Sequence, residues 1–201
     1  IKTLGEALAD AFILHGPSDE ALAFARGERL FTNKPVCVMG RRLADDDPIP
    51  SVEVDNHLGV EMVFNQLLVE EPTSAGVIVD LTCYEFARDR LAACRNVAAA
   101  HPKVAFQFAH RRDGQTLFQA GYQAIETWCQ EDALPKVVFA MGDVIAVGAL
   151  SCLNEKGIAV PDRVKVAGFD GSPLAAFSSP ALTTVAQPFE EITRTTVDII
   201  A

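Results

Sequence analysis

The sequence predicts an α/β protein in which parallel sheets are flanked by helices. Short apolar runs and amphipathic helical segments alternate along the 201 residues, most regularly from Gly76 to Phe169. Short apolar runs separated by helices are typical of strands buried on both faces, as in a parallel sheet with right-handed crossovers. The length allows one large domain or two small lobes with a substantial core.

The first third of the chain predicts strands that end in polar loops. Apolar runs predict strands at Ala11–Leu14 and Pro35–Met39, and an extended segment follows at Ser51–Val54. A helix from Ser18 to Leu30 is expected between the two strands, because Ser caps a helix and the next two residues are acidic. A second helix should begin at the N-cap pair Asp55-Asn56, since apolar residues then recur at spacings of three and four: Val60, Val63, Phe64, Leu67 and Leu68.

The rest of the chain repeats a strand–helix pattern. The predicted strands are Gly76–Leu81, Val104–Phe108, Val137–Met141 and Val164–Phe169, and the predicted helices are Tyr84–Ala100, Gln115–Gln130 and Asp143–Lys156. Gly157 can end the last of these helices in a left-handed C-cap. Turn chemistry at Asp170–Pro173 then precedes an extended run, Ala181–Val185. Pro188 suits the first turn of a final helix, Phe189–Ile200.

Composition excludes several classes of function. A formal charge of −10 argues against binding of a nucleic-acid phosphate backbone by this chain alone. No apolar run approaches the roughly 20 residues of a membrane helix, and no signal peptide is visible. The chain opens with Ile rather than Met, so the true N-terminus is expected to lie upstream. Reduced thiols in a cytoplasmic protein are expected, because the five cysteines are scattered and odd in number: Cys37, Cys83, Cys94, Cys129 and Cys152.

Motifs for cofactors and catalysis are missing from the sequence. No strand is followed by GxGxxG, and there is no Walker A loop, HExxH or GxSxG. The four histidines lack the spacing of a metal pair, so we expect no metal and no cofactor. Asp143 is open to two interpretations, an ordinary helix N-cap or a ligand contact. We expect a binding protein rather than an enzyme, with Asp170 and Gln187 as the first candidates because ligands of open α/β sheets lie at strand ends.

Four segments carry a resemblance to a known family. They are Ala9–Leu14 (ADAFIL), Pro48–Asn56 with Gly59, Ala140–Ala149 (AMGDVIAVGA), and Val164–Asp170 (VKVAGFD) followed by Pro180–Pro188 (PALTTVAQP). Together they resemble the effector-binding core of LacI/GalR-type transcriptional regulators, and the last pair is the most specific. The resemblance implies a two-lobed periplasmic-binding-protein-like type I fold, in which each lobe is a parallel sheet flanked by helices.

The resemblance also implies an organisation for the whole protein. Residues 1–54 and 188–201 would form an incomplete N-terminal effector lobe, and residues 56–185 the C-terminal effector lobe. The opening portion of the first lobe and a helix-turn-helix that reads operator DNA would precede this chain. A homodimer is expected, with a sugar or sugar derivative as the small-molecule effector bound between the lobes.

Candidate ligand-binding residues follow from the same resemblance, each with an alternative role. Arg90 matches an arginine whose planar fork holds hydroxyls or a carboxylate, and the alternative is a solvated helix residue. Asp170 matches an aspartate that accepts hydrogen bonds from ligand hydroxyls or ring nitrogens. The alternative is that Asp170 begins an Asx turn. Gln187 can touch the ligand or fix the crossing between lobes. His15 is either a cleft residue or a solvent-facing loop histidine, and Phe86 and Thr116 lie at aligned cleft positions, although burial is the common fate of Phe.

Two departures from the family pattern bear on the ligand. Gly142 stands where the family carries an asparagine, which removes an amide that can bind a sugar hydroxyl. Gly40 and Arg41 stand where some members carry an aspartate. Arg41 would therefore replace that aspartate as a ligand contact of opposite charge. These changes point away from a typical neutral pyranose and toward an anionic or modified sugar.

Two other classes of protein fit parts of the sequence. A secreted solute-binding protein of a sugar transporter shares the fold, but the ALTTV-x-Q-P segment and the five thiols disfavour it. An enzyme on a flavodoxin-like sheet would need a catalytic constellation, and the sequence offers none. The leading hypothesis is therefore the effector-binding and dimerisation domain of a DNA-binding repressor or activator.

Overall fold

A computed structural model describes residues 9–27, 34–81 and 85–201. In chain order the elements are β1 (Phe12–His15), α1 (Asp19–Gly27), β2 (Val36–Met39), β3 (Ser51–Val52), α2 (Asn56–Leu67), β4 (Ser74–Val79), α3 (Glu85–Ala100), β5 (Ala105–His110), α4 (Leu117–Gln130), β6 (Val137–Ala140), α5 (Asp143–Glu155), β7 (Lys165–Asp170), α6 (Pro173–Phe177), β8 (Thr183–Ala186) and α7 (Phe189–Ile200). None of the helices in the described ranges is both long and apolar enough to cross a membrane.

The described residues divide into two compact units. Unit 1 contains residues 9–27, 34–54 and 188–201, together with Glu85 and Phe86 at the start of α3. Unit 2 contains residues 55–81 and 87–187. Apart from the start of α3, the chain passes from unit 1 to unit 2 after Val54 and returns to unit 1 at Pro188.

Unit 1 is built on a three-stranded parallel sheet in the order β1-β2-β3. The Ser18 hydroxyl accepts from the Ala21 N–H at 3.2 Å and so caps α1. Leu22 on α1 is buried against Val38 and Leu43, and α7 packs on β2 and β3. Helix α1 was predicted to reach Leu30; its described part ends at Gly27, and residues 28–30 lie outside the described ranges.

Unit 2 is built on a five-stranded parallel sheet in the order β5-β4-β6-β7-β8. All four residues of β6 are buried, as expected for a central strand covered on both faces. Helices α4 and α5 contribute Ile125, Trp128 and Leu153 to a cluster of buried apolar residues in this unit. The prediction of parallel sheets flanked by helices is confirmed.

Helix ends test the capping arguments directly. The Asp55 carboxylate accepts from the Leu58 N–H at 2.8 Å, so the predicted cap of α2 is confirmed. Gly157 has φ +65° just after α5, which confirms the left-handed C-cap. Helix α4 begins at Leu117, because Thr116 and Gln119 form a reciprocal capping box that leaves Thr116 outside the helix. The sequence failed to predict α6, a single short turn with Pro173 in its first turn.

The contact between α4 and α5 depends on two glycines. A Cβ on Gly121 would lie 1.8 Å from the Ile145 carbonyl oxygen, and a Cβ on Gly148 would lie 2.0 Å from that of Phe118. Both obstacles are helix backbone, which cannot yield as a flexible side chain does. The two helices therefore pack backbone to backbone at this crossing.

Substitution of Gly121 by Ala should separate these helices and destabilise unit 2. We expect Gly121→Ala to cost about 3 kcal/mol or more, at the upper end of overpacking effects. Thermal and urea unfolding of both proteins measure the change. Gly27→Ala is the matched control, because nothing lies within 4 Å of the added Cβ, and its stability should stay within about 0.5 kcal/mol of the parent. Equal stabilities for the two variants would contradict the backbone contact.

Candidate functional site

The polar residues of unit 2 converge where β6, β7 and β8 end. Asp170 is the last residue of β7, and β6 leads through Met141 and Gly142 to Asp143. Gln187 follows β8, which pairs with β7 in parallel. Because parallel strands present their carboxyl ends at one edge of a sheet, these side chains come together there.

Arg90 is the buried centre of this cluster. Its side chain comes from α3 and the residue is only 3% exposed. Its Nε donates to Asn56 Oδ1 at 2.8 Å, and its Nη1 donates to the Met141 carbonyl at 2.8 Å. The guanidinium lies 3.6 Å from the ring centroid of Phe169, a cation–π contact. The alternative of a solvated helix arginine is therefore wrong.

Asp170 faces both Arg90 and solvent. Its Oδ1 lies 3.7 Å from Arg90 Nη1 and accepts from Gln187 Nε2 at 2.8 Å. Its Oδ2 accepts a long hydrogen bond, 3.4 Å, from the Asp143 N–H. The Asp170 side chain is 34% exposed, against 4% for that of Arg90. The Asp170 carboxylate thus pairs with other residues of the cluster and does not close an Asx turn. It is the more exposed member of its ion pair with Arg90.

The backbone and the charge state of Asp170 are both unusual. Its φ is +131°, in a region that glycine favours, and strain of this kind concentrates at functional sites. Burial raises the pKa of Asp170 above its ordinary value, although the Arg90 cation, the Asp143 N–H and Gln187 oppose that effect. The neighbouring Asp143 charge raises the pKa further. In the folded chain the ionised form of Asp170 is therefore less stable, relative to the protonated form, than it is in the unfolded chain.

Asp143 has a different role from the one that the sequence suggested. The N-cap of α5 is Gly142, and Asp143 is the first helical residue, so the N-cap prediction is wrong. Its fully buried carboxylate accepts from the Ser172 N–H at 2.7 Å, the Ser172 hydroxyl at 2.8 Å and the Thr184 hydroxyl at 2.5 Å. The carboxylate thus ties α5 to the N-cap residue of α6, Ser172, and to strand β8, which contains Thr184.

Two glycines allow this arrangement. A Cβ on Gly168 would lie 2.5 Å from Asp143 Oδ1, so β7 leaves room for the carboxylate only because the residue is glycine. Gly171 has φ +69°, and an added Cβ would lie 2.5 Å from the Ala186 Cα. The turn chemistry predicted after β7 is correct at Gly171, and it brings the chain back against β8.

The structure does not add the other predicted site residues to this cluster. His15 and Arg41 belong to unit 1, at the carboxyl ends of β1 and β2. Exposed His15 is the last residue of β1 rather than a loop residue. Half-buried Phe86 precedes Arg90 by one turn of α3. Thr116 follows β5, and strands β4 and β6 lie between β5 and β7 in the sheet. The Thr116 hydroxyl accepts a hydrogen bond from the Gln119 N–H at 3.2 Å as part of the α4 cap.

Arg41 is committed to its own unit. It donates to the Pro17 carbonyl at 2.9 Å and to Asp19 Oδ1 at 2.5 Å. Its buried Nε finds no hydrogen-bond acceptor among the described residues. An anionic ligand group would have to compete with the Asp19 carboxylate for this cation.

Sequence reasoning missed two members of the cluster, Asn56 and Phe169. Asn56 is 4% exposed, and its amide oxygen accepts from Arg90 although it is 34 residues away in sequence. A Cβ on Gly59 would lie 2.8 Å from the Phe169 ring, so glycine lets α2 approach β7 and carry Asn56 to Arg90. The Asp55-Asn56 pair was visible as a cap signal, but nothing in the sequence distinguished the capping residue from the one that binds Arg90.

The cluster can bind a ligand that both donates and accepts hydrogen bonds. Arg90 supplies N–H groups in a fixed plane, and Asp170 supplies acceptor oxygens. Within the described ranges, no group of three or more His, Cys, Asp or Glu residues could hold a metal ion. The arrangement therefore favours recognition of hydroxyl or ring N–H groups.

Removal of the Asp143 carboxylate should destabilise unit 2. Asp143→Ala leaves three partly buried donor groups of Ser172 and Thr184 without their acceptor, and we expect the free energy of unfolding to fall by about 3 kcal/mol. Chemical unfolding of each variant measures it. Asp113→Ala is the control, since Asp113 is exposed and should change stability by less than about 0.5 kcal/mol. A loss no larger than in the control would contradict the role of Asp143.

The raised pKa of Asp170 predicts a pH-dependent effect of its neutralisation. The folded chain binds this proton more tightly than the unfolded chain, so the contribution of Asp170 to stability falls as pH rises from the ordinary value through the raised one. Asp170→Asn should therefore raise the melting temperature at pH 7, and this gain should vanish below about pH 4. Asp113→Asn should show no such trend. A variant that is less stable than the parent at pH 7 would contradict the sign.

Comparison with known proteins places this geometry in a family. The sequence profile of the periplasmic binding protein-like domain matches residues 65–201. The HTH-type transcriptional repressor CytR of Escherichia coli K12 is 31% identical over 166 residues, which cover 81% of this chain and 47% of that protein. The chain thus spans about half the length of this curated relative.

Solved structures share the fold. A periplasmic binding protein/LacI transcriptional regulator from Alkaliphilus metalliredigens, complexed with D-xylulofuranose, has a TM-score of 0.80 at 19% identity and is matched over 99% of this chain and 71% of that one. The lac repressor dimer bound to operator and the anti-inducer ONPF has a TM-score of 0.81 at 23% identity, with 99% and 68% covered. The chain belongs to the periplasmic binding protein-like domain family, and it is similar to the effector-binding core of LacI/GalR-type transcriptional regulators.

Proposed function

We propose that unit 2 binds a sugar or sugar derivative through Arg90, Asp170 and Gln187. The observation that carries the proposal is a buried guanidinium, oriented by Asn56 and Met141, beside a carboxylate that is one-third exposed. A planar donor next to an acceptor matches vicinal hydroxyl groups, because each hydroxyl can accept from the arginine and donate to the aspartate. The relative complexed with D-xylulofuranose supports a sugar as the ligand class.

The other predicted contacts have weaker support and stay proposals. Phe86 shares a face of α3 with Arg90 and can cover one side of a ring. His15 and Arg41 are the contacts that we propose on unit 1, with Arg41 as the partner of an anionic group. Direct contact of Thr116 or Asp143 with the ligand would require each to give up hydrogen bonds that it makes within the protein.

We assign binding rather than catalysis to this site. Arg90, Asp170 and Gln187 hydrogen-bond or pair with each other and with the surrounding backbone, which fixes their positions without activating a nucleophile. A ligand that binds this cluster would stabilise one conformation of the domain over another. The response could be no larger than the difference in affinity between the two conformations.

In the full-length protein we propose that this response regulates transcription from the cytoplasm. The lac repressor with the same fold is a dimer bound to operator, and CytR is described as an HTH-type repressor. We propose a homodimer that reads operator DNA through a helix-turn-helix preceding this chain. Because the DNA-binding residues would then lie outside this chain, the proposal is compatible with its formal charge of −10.

Ligand-induced stabilisation tests the assignment of the site. The probes are D-xylulose, D-ribose, D-glucose, cellobiose and adenosine, each added at millimolar concentration to the purified chain. A ligand at 100 times its Kd should raise the unfolding free energy by about 2.7 kcal/mol. Arg90→Lys keeps the charge but loses the planar fork, and Asp170→Asn loses the charge, so each should abolish the shift in melting temperature.

Arg95→Ala is the matched control for this experiment. Arg95 is an exposed arginine on the same helix, and the variant should respond to the probes as the parent does. A full response in both Arg90→Lys and Asp170→Asn would overturn the assignment of the site. Failure of every probe to stabilise the parent would overturn the proposal of a sugar ligand.

A further inference from the structure

Strand β5 forms an open edge of the five-stranded sheet. Among the described strands its only neighbour is β4, and the two strands pair in an unbroken register over six residues. The Ala105 N–H donates to the Thr73 carbonyl at 2.9 Å, and the Arg111 N–H donates to the Val79 carbonyl at 2.8 Å. At the two ends of β5, residues 105 and 111 therefore turn their backbone groups toward β4.

Alternate residues of β5 present unpaired backbone groups to the open side. In a parallel ladder every second residue bonds to one neighbouring strand, so Phe106, Phe108 and His110 turn their N–H and carbonyl groups away from β4. No described residue forms a hydrogen bond with these groups. The strand sequence AFQFAH also lacks the proline, lysine or acidic residues that usually protect an edge. The edge is therefore a template on which another strand can pair.

A groove lies between this edge and helix α4. It is a cavity of about 460 Å³, lined by residues 108–112 on one side and by α4 on the other. Ala120 and Ala124 lie one turn apart on α4 and contribute small side chains, and Trp128 adds an aromatic surface one turn further on. A strand added to β5 would turn every second side chain toward this groove.

The two ends of the groove carry opposite charges. Arg112 lies beyond the carboxyl end of β5, and Glu131 directly follows α4. The Gln107 side-chain amide donates to the Ala133 carbonyl at 2.6 Å, which brings the segment after α4 beside the first half of β5. Strand geometry separates positions 107 and 112 by roughly 16 Å. Both charged side chains are exposed, and neither forms an ion pair with a described residue.

We propose that the open edge of β5 binds an extended segment of a partner protein, which adds a sixth strand to the sheet of unit 2. The segment would place an acidic residue against Arg112 and a basic residue against Glu131, about five residues apart. Hydrogen bonds to the outward backbone groups of β5 would supply affinity, and the groove and its charges would supply specificity. The inference does not rest on the proposed sugar-binding function, because β4 and β6 lie between β5 and β7 in the sheet.

A second copy of this chain is a poorer occupant of the edge. Its own β5 segment, residues 103–112, includes Lys103, Arg111 and Arg112 but no acidic residue. Pairing of two such strands would leave Arg112 without a carboxylate partner on the added strand. The charge pattern therefore favours a segment of a different protein.

Two proline substitutions test the direction of the backbone groups without a partner. His110→Pro removes an outward N–H and an exposed side chain, so the melting temperature should stay within about 2 °C of that of the parent. Ala109→Pro removes a donor that faces β4 and should lower the melting temperature by about 6 °C or more. Equal changes in the two variants would contradict the assignment of the open edge.

Labelled hexapeptides test binding at the edge. The probes are fluorescein-labelled KTVTVE and ETVTVK amides, whose charges suit parallel and antiparallel pairing, and fluorescence anisotropy measures binding to the purified chain. At least one should bind with a Kd below about 200 μM. N-methylation of alternate amides in that peptide, or His110→Pro in the chain, should weaken binding at least about tenfold, whereas His110→Ala keeps the backbone N–H and should bind as the parent does.

Peptides with like charges at both ends test the charge pattern. The parent should bind KTVTVK and ETVTVE more weakly than the better of the two mixed-charge peptides. Arg112→Glu should bind KTVTVK most tightly among the four, because both ends of the groove are then acidic. Arg95→Glu makes the same change of charge on the exposed face of α3 and should keep the ranking of the parent.

The remaining outcomes each overturn the inference. These are a lack of binding by both mixed-charge peptides at 1 mM, unchanged binding after N-methylation or in His110→Pro, and a ranking that Arg112→Glu leaves as in the parent. Dimerisation of the parent in sedimentation, if His110→Pro abolishes it, would assign the edge to a second copy instead. Asp170→Asn should bind the peptides as the parent does, so failure of the sugar probes would leave this inference intact.

Discussion

The buried cation of Arg90 is the constraint on which the candidate site depends. An arginine that is 3% exposed is tolerated only when its charge and its N–H groups are satisfied by partners within the fold. Asn56, the Met141 carbonyl, the Phe169 ring and Asp170 come from α2, β6 and β7 and meet that requirement together. The arginine on α3 therefore fixes the relative positions of several elements of unit 2.

Two aspartates at the same sheet edge have opposite roles because their surroundings differ. Asp143 is fully buried and accepts three hydrogen bonds from Ser172 and Thr184, which makes it a structural link between α5, the N-cap of α6 and β8. The Asp170 side chain is one-third exposed, its backbone φ is strained, and its pKa is raised above the ordinary value. A residue held at a cost in stability and open to solvent has the properties of a ligand contact, whereas its satisfied neighbour provides the scaffold.

Gln187 connects this cluster to the return of the chain into unit 1. Its side chain donates to Asp170 Oδ1, and its N–H donates to the Asp170 carbonyl at 3.1 Å. The next residue, Pro188, already belongs to unit 1. A ligand that competes for Asp170 Oδ1 would therefore act on the last residue before the chain returns to unit 1.

The sequence by itself determined the parallel α/β class, most helix and strand positions, and the candidates Arg90, Asp170 and Gln187. Apolar periodicity and capping residues are local signals, and they suffice for Asp55 and Gly157. Only the tertiary structure decided that Asn56 binds Arg90 and that Asp143 is a buried link rather than an N-cap. Those roles depend on burial and on contacts between residues distant in sequence, and a local pattern cannot encode which distant partner satisfies a buried polar group.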